Sequence, residues 1–340
     1  MKKQAPTVKK THFHGEPAVE LSVSSYTAVV LPHIGGNLVS LRETERGYRL
    51  LCEPAPDRME WFRQHPVVHG IPVLFPPNRY EDGTFELAGR TYRWPVNDAE
   101  HGNHIHGFLY DREWEVYASG VTDQEAFVEL RFVNHADAAL YRLFPHAFEF
   151  RLKYVLSERG LAQEIAIANR GDDAMPCMLG FHTALNAPFA AGSSAQDLVV
   201  KATIGQRVEM SERMLPTGEF VELTGGEEEM RRDGVSPFFA TLDHHYTAEA
   251  QAGRNYVALI DTREQVRLVY DAGTKYKYWM LFNADARSGY FCPEPQTNLV
   301  NAPRLEGQVE DTGFVILQPC EVWSEASRIW VESLKADCTE

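Results

Sequence analysis

The stretch Phe148-Glu149-Phe150-Arg151-Leu152-Lys153-Tyr154-Val155 decides the fold class. Phe148, Phe150, Leu152 and Tyr154 take every second position, and Glu149, Arg151 and Lys153 lie between them. A period of two belongs to a strand with one face in a core and the other in water, the pattern of an antiparallel sheet. Ser157-Glu158-Arg159-Gly160 then punctuates the chain, and Leu161 to Ala168 alternates again, so the two segments read as a hairpin. Thr84-Phe85-Glu86-Leu87 and Arg90-Thr91-Tyr92-Arg93-Trp94 form a second hairpin around Ala88-Gly89. Further strands are expected at Glu125 to Val133, Val266 to Tyr270, Tyr278 to Phe282, Phe314 to Leu317 and Arg328 to Val331. Helical signals are few: Ala55 to His65, with Pro56 near its start, and Gly226 to Arg232. No linker of Gly, Ser or Pro character divides the chain, and no fixed-period repeat is present. The expectation is an all-β protein, a large antiparallel β-sandwich with few short helices, in a single domain spanning residues 1–340.

Composition bounds the function. The chain has 340 residues, 44% hydrophobic and 24% charged, which excludes disordered, collagen-like and disulfide-scaffold classes. Its 33 basic and 48 acidic residues give a net charge of −15, a poor match for duplex nucleic acid, which needs a basic face. Lys2, Lys3, Lys9 and Lys10 near the start are not followed by an apolar signal-peptide core. No apolar run approaches the length of a membrane-spanning helix. Cys52, Cys177, Cys292, Cys320 and Cys338 are odd in number and include no CxxC pair, so reduced thiols in a cytoplasmic protein are expected.

The densest segment for chemistry runs from Gly70 to Gly107. Ile71-Pro72-Val73-Leu74-Phe75-Pro76-Pro77-Asn78-Arg79 is an apolar strand stopped by two prolines, which then offers an amide and a guanidinium. Arg79 at such a rigid end suits ligand binding, or else a surface ion pair. In Asn103-His104-Ile105-His106-Gly107 the two histidines would share one face of a strand. A metal site, acid–base work on a polar substrate and a structural histidine pair all fit that spacing. A metal reading lacks a carboxylate at short regular spacing, because Glu113 lies seven positions after His106. Gly180-Phe181-His182-Thr183-Ala184 holds one histidine among small and apolar residues, a pattern shared by core histidines and catalysts. Cys292-Pro293-Glu294-Pro295-Gln296 fixes a carboxylate between two prolines, or is an ordinary charged loop. Leu242-Asp243-His244-His245-Tyr246 adds a second carboxylate, which could also cap a turn.

Taken in order, these segments resemble the aldose 1-epimerase (galactose mutarotase) family. The likeness is carried by Pro32-His33-Ile34-Gly35-Gly36-Asn37, Ile71 to Arg79, Gly83-Thr84-Phe85, Gly89-Arg90-Thr91-Tyr92, Pro95-Val96-Asn97, Asn103 to Gly107, Gly180-Phe181-His182, Leu242-Asp243 and Cys292-Pro293-Glu294-Pro295. It implies the galactose mutarotase-like supersandwich and an isomerase of free aldohexoses such as galactose or glucose that needs neither cofactor nor metal. It also implies His182 as general acid and Glu294 as general base, with Asn78, Arg79, His106 and Asp243 binding the substrate. His104 is one position off the family's key histidine and receives no role, and the pattern gives none to His244 or His245. Thr183-Ala184-Leu185-Asn186 departs from the family's Pro-Tyr-Phe type continuation after the second histidine. An indole such as Trp279 could cover a sugar face or pack in the core.

Three other functions compete. A non-catalytic sugar-binding protein would bind without anomer exchange. A hexose-6-phosphate 1-epimerase would need a basic pocket for the dianion. A glycoside hydrolase or lyase would use two carboxylates across the bond rather than a carboxylate and an imidazole. Nothing in the sequence distinguishes a monomer from a homodimer.

Overall fold

The computed structural model describes residues 5–287, 289–305, 307, 308 and 310–334; Cys338 lies outside them. The deciding stretch lies in the strand Phe148–Ser157, which pairs antiparallel with Gly160–Asn169 around a two-residue turn. Phe148, Phe150, Leu152 and Tyr154 are fully buried, as their period requires. On the other face Arg151 pairs with Glu129 and Glu149, and Lys153 with Glu164.

This hairpin sits inside an eight-stranded antiparallel sheet, the backing sheet. Its strands run in the spatial order Glu115–Val121, Glu125–Asn134, Phe148–Ser157, Gly160–Asn169, Val322–Ser333, Val266–Asp271, Tyr256–Asp261 and Leu198–Ala202. A second large sheet, the site sheet, orders Pro216–Val221, Ile204–Met210, Asp243–Ala248, Tyr278–Phe282, Tyr290–Gln296, Gly180–Phe181 and Val73–Leu74. Leu185–Asn186 also pairs with Tyr290–Gln296. The two sheets share one hydrophobic core, in which Tyr270 of the backing sheet and Trp279 of the site sheet meet edge to face at 6.1 Å. A five-stranded N-terminal meander covers part of the backing sheet, and the Tyr154 hydroxyl donates to the Gly36 carbonyl there at 3.1 Å.

The chain is all-β with short helices, as expected, and the differences have local causes. Ala55 to His65 is a 3-10 turn at Pro56–Arg58 followed by the helix Met59–Gln64. The second helix is Gly225–Arg232, capped by Thr224 in a capping box with Glu227. The expected Arg328 to Val331 is part of the longer Val322–Ser333, whose outer face mixes charges with aromatics and so hides the period. Glu294 lies within a strand rather than in a loop, although Pro293 and Pro295 flank it. Thr297 N–H donates to Leu179 O, away from Tyr278–Phe282. By alternation the two proline nitrogens face the same way, so neither interrupts the ladder to Tyr278–Phe282.

Candidate functional site

The site is built on strand register. Gly180 pairs with Gln296 and Leu185 pairs with Phe291, so the segment between keeps one offset along Tyr290–Gln296. That offset sets His182 directly across from Glu294. Cross-strand partners share a face. His182 Nε2 lies 3.2 Å from Glu294 Oε1, and both side chains are buried. On its other side the segment is held by His182 N–H donating to Pro72 O and Ala184 N–H to Gly70 O.

The same face carries Asp243 and Phe282, which pair with each other across the neighbouring strands. The Phe282 ring stands 5.9 Å from that of His182 at 71°. Trp279 is on the opposite face, fully buried, with its indole N–H donating to Asn255 at 2.6 Å, so it packs in the core.

The second wall comes from the chain following Val73–Leu74. Arg79 and Ile105 pair in a short two-stranded sheet, and His106 N–H donates to Asn78 O at 3.0 Å. Asn78 (φ 55°) and His106 (φ 66°) both adopt left-handed backbone. That breaks the expected alternation of the two histidines. His104 turns between Trp94 and Phe108, with Nδ1 against Pro95 O at 2.8 Å, and is structural. His106 turns to the site, its ring 5.7 Å from that of His182. Gly107 permits the approach, since a Cβ there would lie 2.3 Å from the Phe75 carbonyl carbon. The Asn78 side-chain oxygen accepts from Arg79 N–H at 2.9 Å and so fixes this turn.

Arg79 is mostly buried, and its Nε donates to Asp98 at 2.8 Å. Its charge acts on His106, Asp243 and Glu294 together. The structure thus brings all six expected residues to one place: His182, Glu294, Arg79, His106, Asp243 and Asn78. Sequence reasoning did not find Phe282, Asp98 or His101. The alternation of Tyr278 to Phe282 puts Phe282 on the face opposite Trp279, which was a usable signal. Asp98 carried no signal, because its partner is set by the loop's tertiary path.

Burial dominates the electrostatics. It pushes Glu294 well above the ordinary carboxylate range, with Asp243 adding to the rise and Arg79 opposing it. It pushes His182 down to about 4, and His106 well below its ordinary value with help from the charges of His182 and Arg79. Asp243 is raised by burial against the pull of Arg79, His244 and His101. In this contacting pair burial thus favours the protonated carboxyl of Glu294 and the neutral imidazole of His182. A cavity of about 580 Å³ adjoins the cluster at Asp243, lined also by His244, Thr241, Arg207 and Met214. Among the described residues no group of three or more His, Cys, Asp or Glu side chains is arranged to hold a metal ion. No helix among them is long and apolar enough to cross a membrane.

Residues 17–330 match the family model of aldose 1-epimerase. The chain belongs to the aldose 1-epimerase family. A galactose mutarotase-like protein of Clostridium acetobutylicum is 33% identical, with a TM-score of 0.92 over 97% of this chain and 99% of that one. The galactose 1-epimerase of Lactobacillus acidophilus NCFM has the same fold, at 16% identity and a TM-score of 0.74 over 96% and 98% of the two chains. An uncharacterised Escherichia coli K12 protein, YihR, is 29% identical over 185 residues, 53% of this chain. The match spans about half of that relative, 54% of its length.

Proposed function

We propose that this member of the aldose 1-epimerase family interconverts the α and β anomers of a free aldohexose by general acid–base ring opening and reclosure. The observation that carries the reading is the buried 3.2 Å contact between an imidazole and a carboxylate on the face shared with Asp243, with the Arg79 charge reaching both carboxylates.

Opening a hemiacetal removes the C1 hydroxyl proton and adds one to the ring oxygen. In the assignment that follows the family, Glu294 accepts the first and His182 donates the second. The step starts from the less favoured arrangement of the pair, Glu294 ionised and His182 protonated, and opening leaves Glu294 protonated and His182 neutral, the arrangement that burial favours. The open chain then rotates about C1–C2. Closure on the other carbonyl face returns both protons, so the pair is reset with no net proton taken up. Each group supplies about 10² to 10⁴ in rate. Arg79, His106, Asn78 and Asp243 bind the hydroxyls remote from C1, leaving C1 free to turn.

A free sugar suits the charges better than a phosphorylated one. Arg79 already faces Asp98, and Arg207 in the adjoining cavity faces Glu227, beside the further carboxylates Asp243 and Glu209. Among the described residues a phosphate dianion would meet no concentration of unpaired cations there. The test is polarimetry on freshly dissolved α-glucose and α-galactose, alongside their 6-phosphates, with Glu294→Gln and His182→Asn variants. Catalysed exchange of the free sugars that falls near the spontaneous rate in both variants is the expected result. Faster exchange of the phosphates, or unimpaired variants, would refute the assignment.

A further inference from the structure

Three carboxylates compete for the guanidinium of Arg79. Asp98 is hydrogen-bonded to it, while Asp243 and Glu294 lie within range of its charge. A guanidinium paired to Glu294 would hold that carboxylate ionised and occupied, and a base so held accepts a sugar proton poorly. Instead Nε, the innermost nitrogen of the fork, is fixed on Asp98 at 2.8 Å. Among the described residues no protein group accepts from the two terminal nitrogens, which remain for neutral hydroxyls.

Asp98 is itself held from several sides. His101 Nδ1 lies 3.0 Å from both of its carboxylate oxygens. Its backbone N–H donates to Asn103 O, and its carbonyl accepts from Gly102 and Asn103. Arg213, from a distant segment, donates to His101 O, Gly102 O and Asn103 Oδ1 and so clamps the loop from outside. Asn97 ties the loop's start to Ile105 through both of its side-chain atoms.

We propose that Asp98, steadied by His101, is a positioning residue: it aims Arg79 at the hydroxyls of the sugar and keeps the guanidinium off Glu294. The inference rests on the reading above that Arg79 binds substrate. Asp98 acts through Arg79 and touches no reacting atom, so its effect must vanish when Arg79 is removed.

The experiment is a double-mutant cycle with Asp98→Ala, Arg79→Met and the double variant, with Asp98→Asn beside them. Galactose anomer exchange gives kcat and KM, calorimetric titration gives galactose affinity, and thermal melting checks folding. Asp98→Ala is expected to raise KM about tenfold to a hundredfold, the worth of one charge-assisted hydrogen bond, with a smaller fall in kcat. Asp98→Asn should recover part of that loss, because its amide oxygen still accepts from Nε. The double variant should be no worse than Arg79→Met alone. Independent, additive losses, or a wild-type KM in Asp98→Ala, would overturn the proposal. If Asp98→Ala does not fold, the same cycle is read with Asp98→Asn. If the wild-type protein exchanges no anomers, the function proposed above fails, and the cycle is still decided by the galactose affinities.

Discussion

Glu294 and Glu227 are both buried carboxylates, 2% and 1% exposed, and each lies beside a histidine, at 3.2 Å and 3.3 Å. They serve opposite faces of one sheet. Glu294 shares its face with Asp243 and Phe282, while Glu227 comes from the helix Gly225–Arg232 and meets Tyr246 and His244, which point the other way. The difference is in their donors. Glu227 receives Tyr246 OH at 2.6 Å, Arg207 at 3.0 Å, and both N–H and hydroxyl of Thr224. Burial raises its proton affinity, but the contact with His244 and then the bonds from Tyr246 and Thr224 overcome it and hold Glu227 well below the ordinary carboxylate range. Glu294 has His182 as its polar contact among the described residues, so burial wins and its proton affinity rises. Burial alone therefore does not mark a catalytic carboxylate. A buried carboxylate short of donors is primed to take a proton, and one surrounded by donors is a structural anchor.

The sharpest break of this contrast is substitution of the two glutamates. Glu294→Gln should slow anomer exchange by about 10² to 10⁴ while leaving the melting temperature unchanged or raised, because a buried carboxyl with few donors is replaced by a neutral amide. Polarimetry and calorimetry on one sample check both halves. Glu227→Gln should do the reverse. It leaves Arg207 without its buried counter-ion and should cost about 3 kcal/mol of stability in urea unfolding, with kcat near wild type. An active-site defect in Glu227→Gln with normal stability would dissolve the distinction.

The pH dependences should also part. The folded-state pKa of Glu227 is depressed, so its stabilisation is present above the unfolded carboxylate value, about 4.3, and is lost as pH falls through the lower folded value. The stability gap between wild type and Glu227→Gln should therefore narrow as the solution is acidified below that range. The catalytic rate should instead fall as a second proton enters the His182–Glu294 pair, near pH 4 on the histidine's value, in a pH–rate profile. The finest test is Tyr246→Phe, which removes one donor from Glu227. It should cost about 1 kcal/mol in urea unfolding and leave the rate alone.

Much of this was legible in the sequence because strand alternation is local. The two expected hairpins and the chemistry-bearing segments needed no tertiary information. What stayed hidden depended on contacts far along the chain. The N-terminal meander begins with Thr7–Phe13, whose mixed polar residues give no clean period although its partner Glu16–Ser22 is largely buried. His104 and His106 were read as sharing a face because nothing in their residue types announces left-handed backbone at His106. Asp98 and Glu227 take their meaning from Arg79 and Arg207, and a sequence shows a charged residue without showing who neutralises it.

The offset between Gly180–Phe181, Leu185–Asn186 and Tyr290–Gln296 has a consequence for how the enzyme matures. A slip of one residue would bring His182 opposite Pro293 or Pro295 and swing the imidazole to the reverse side of the sheet. Such a molecule could be compact and rich in strand yet inert. Turnover regained after denaturation thus counts chains that have aligned correctly, and it should lag behind the recovery of circular dichroism, since distant strands join late.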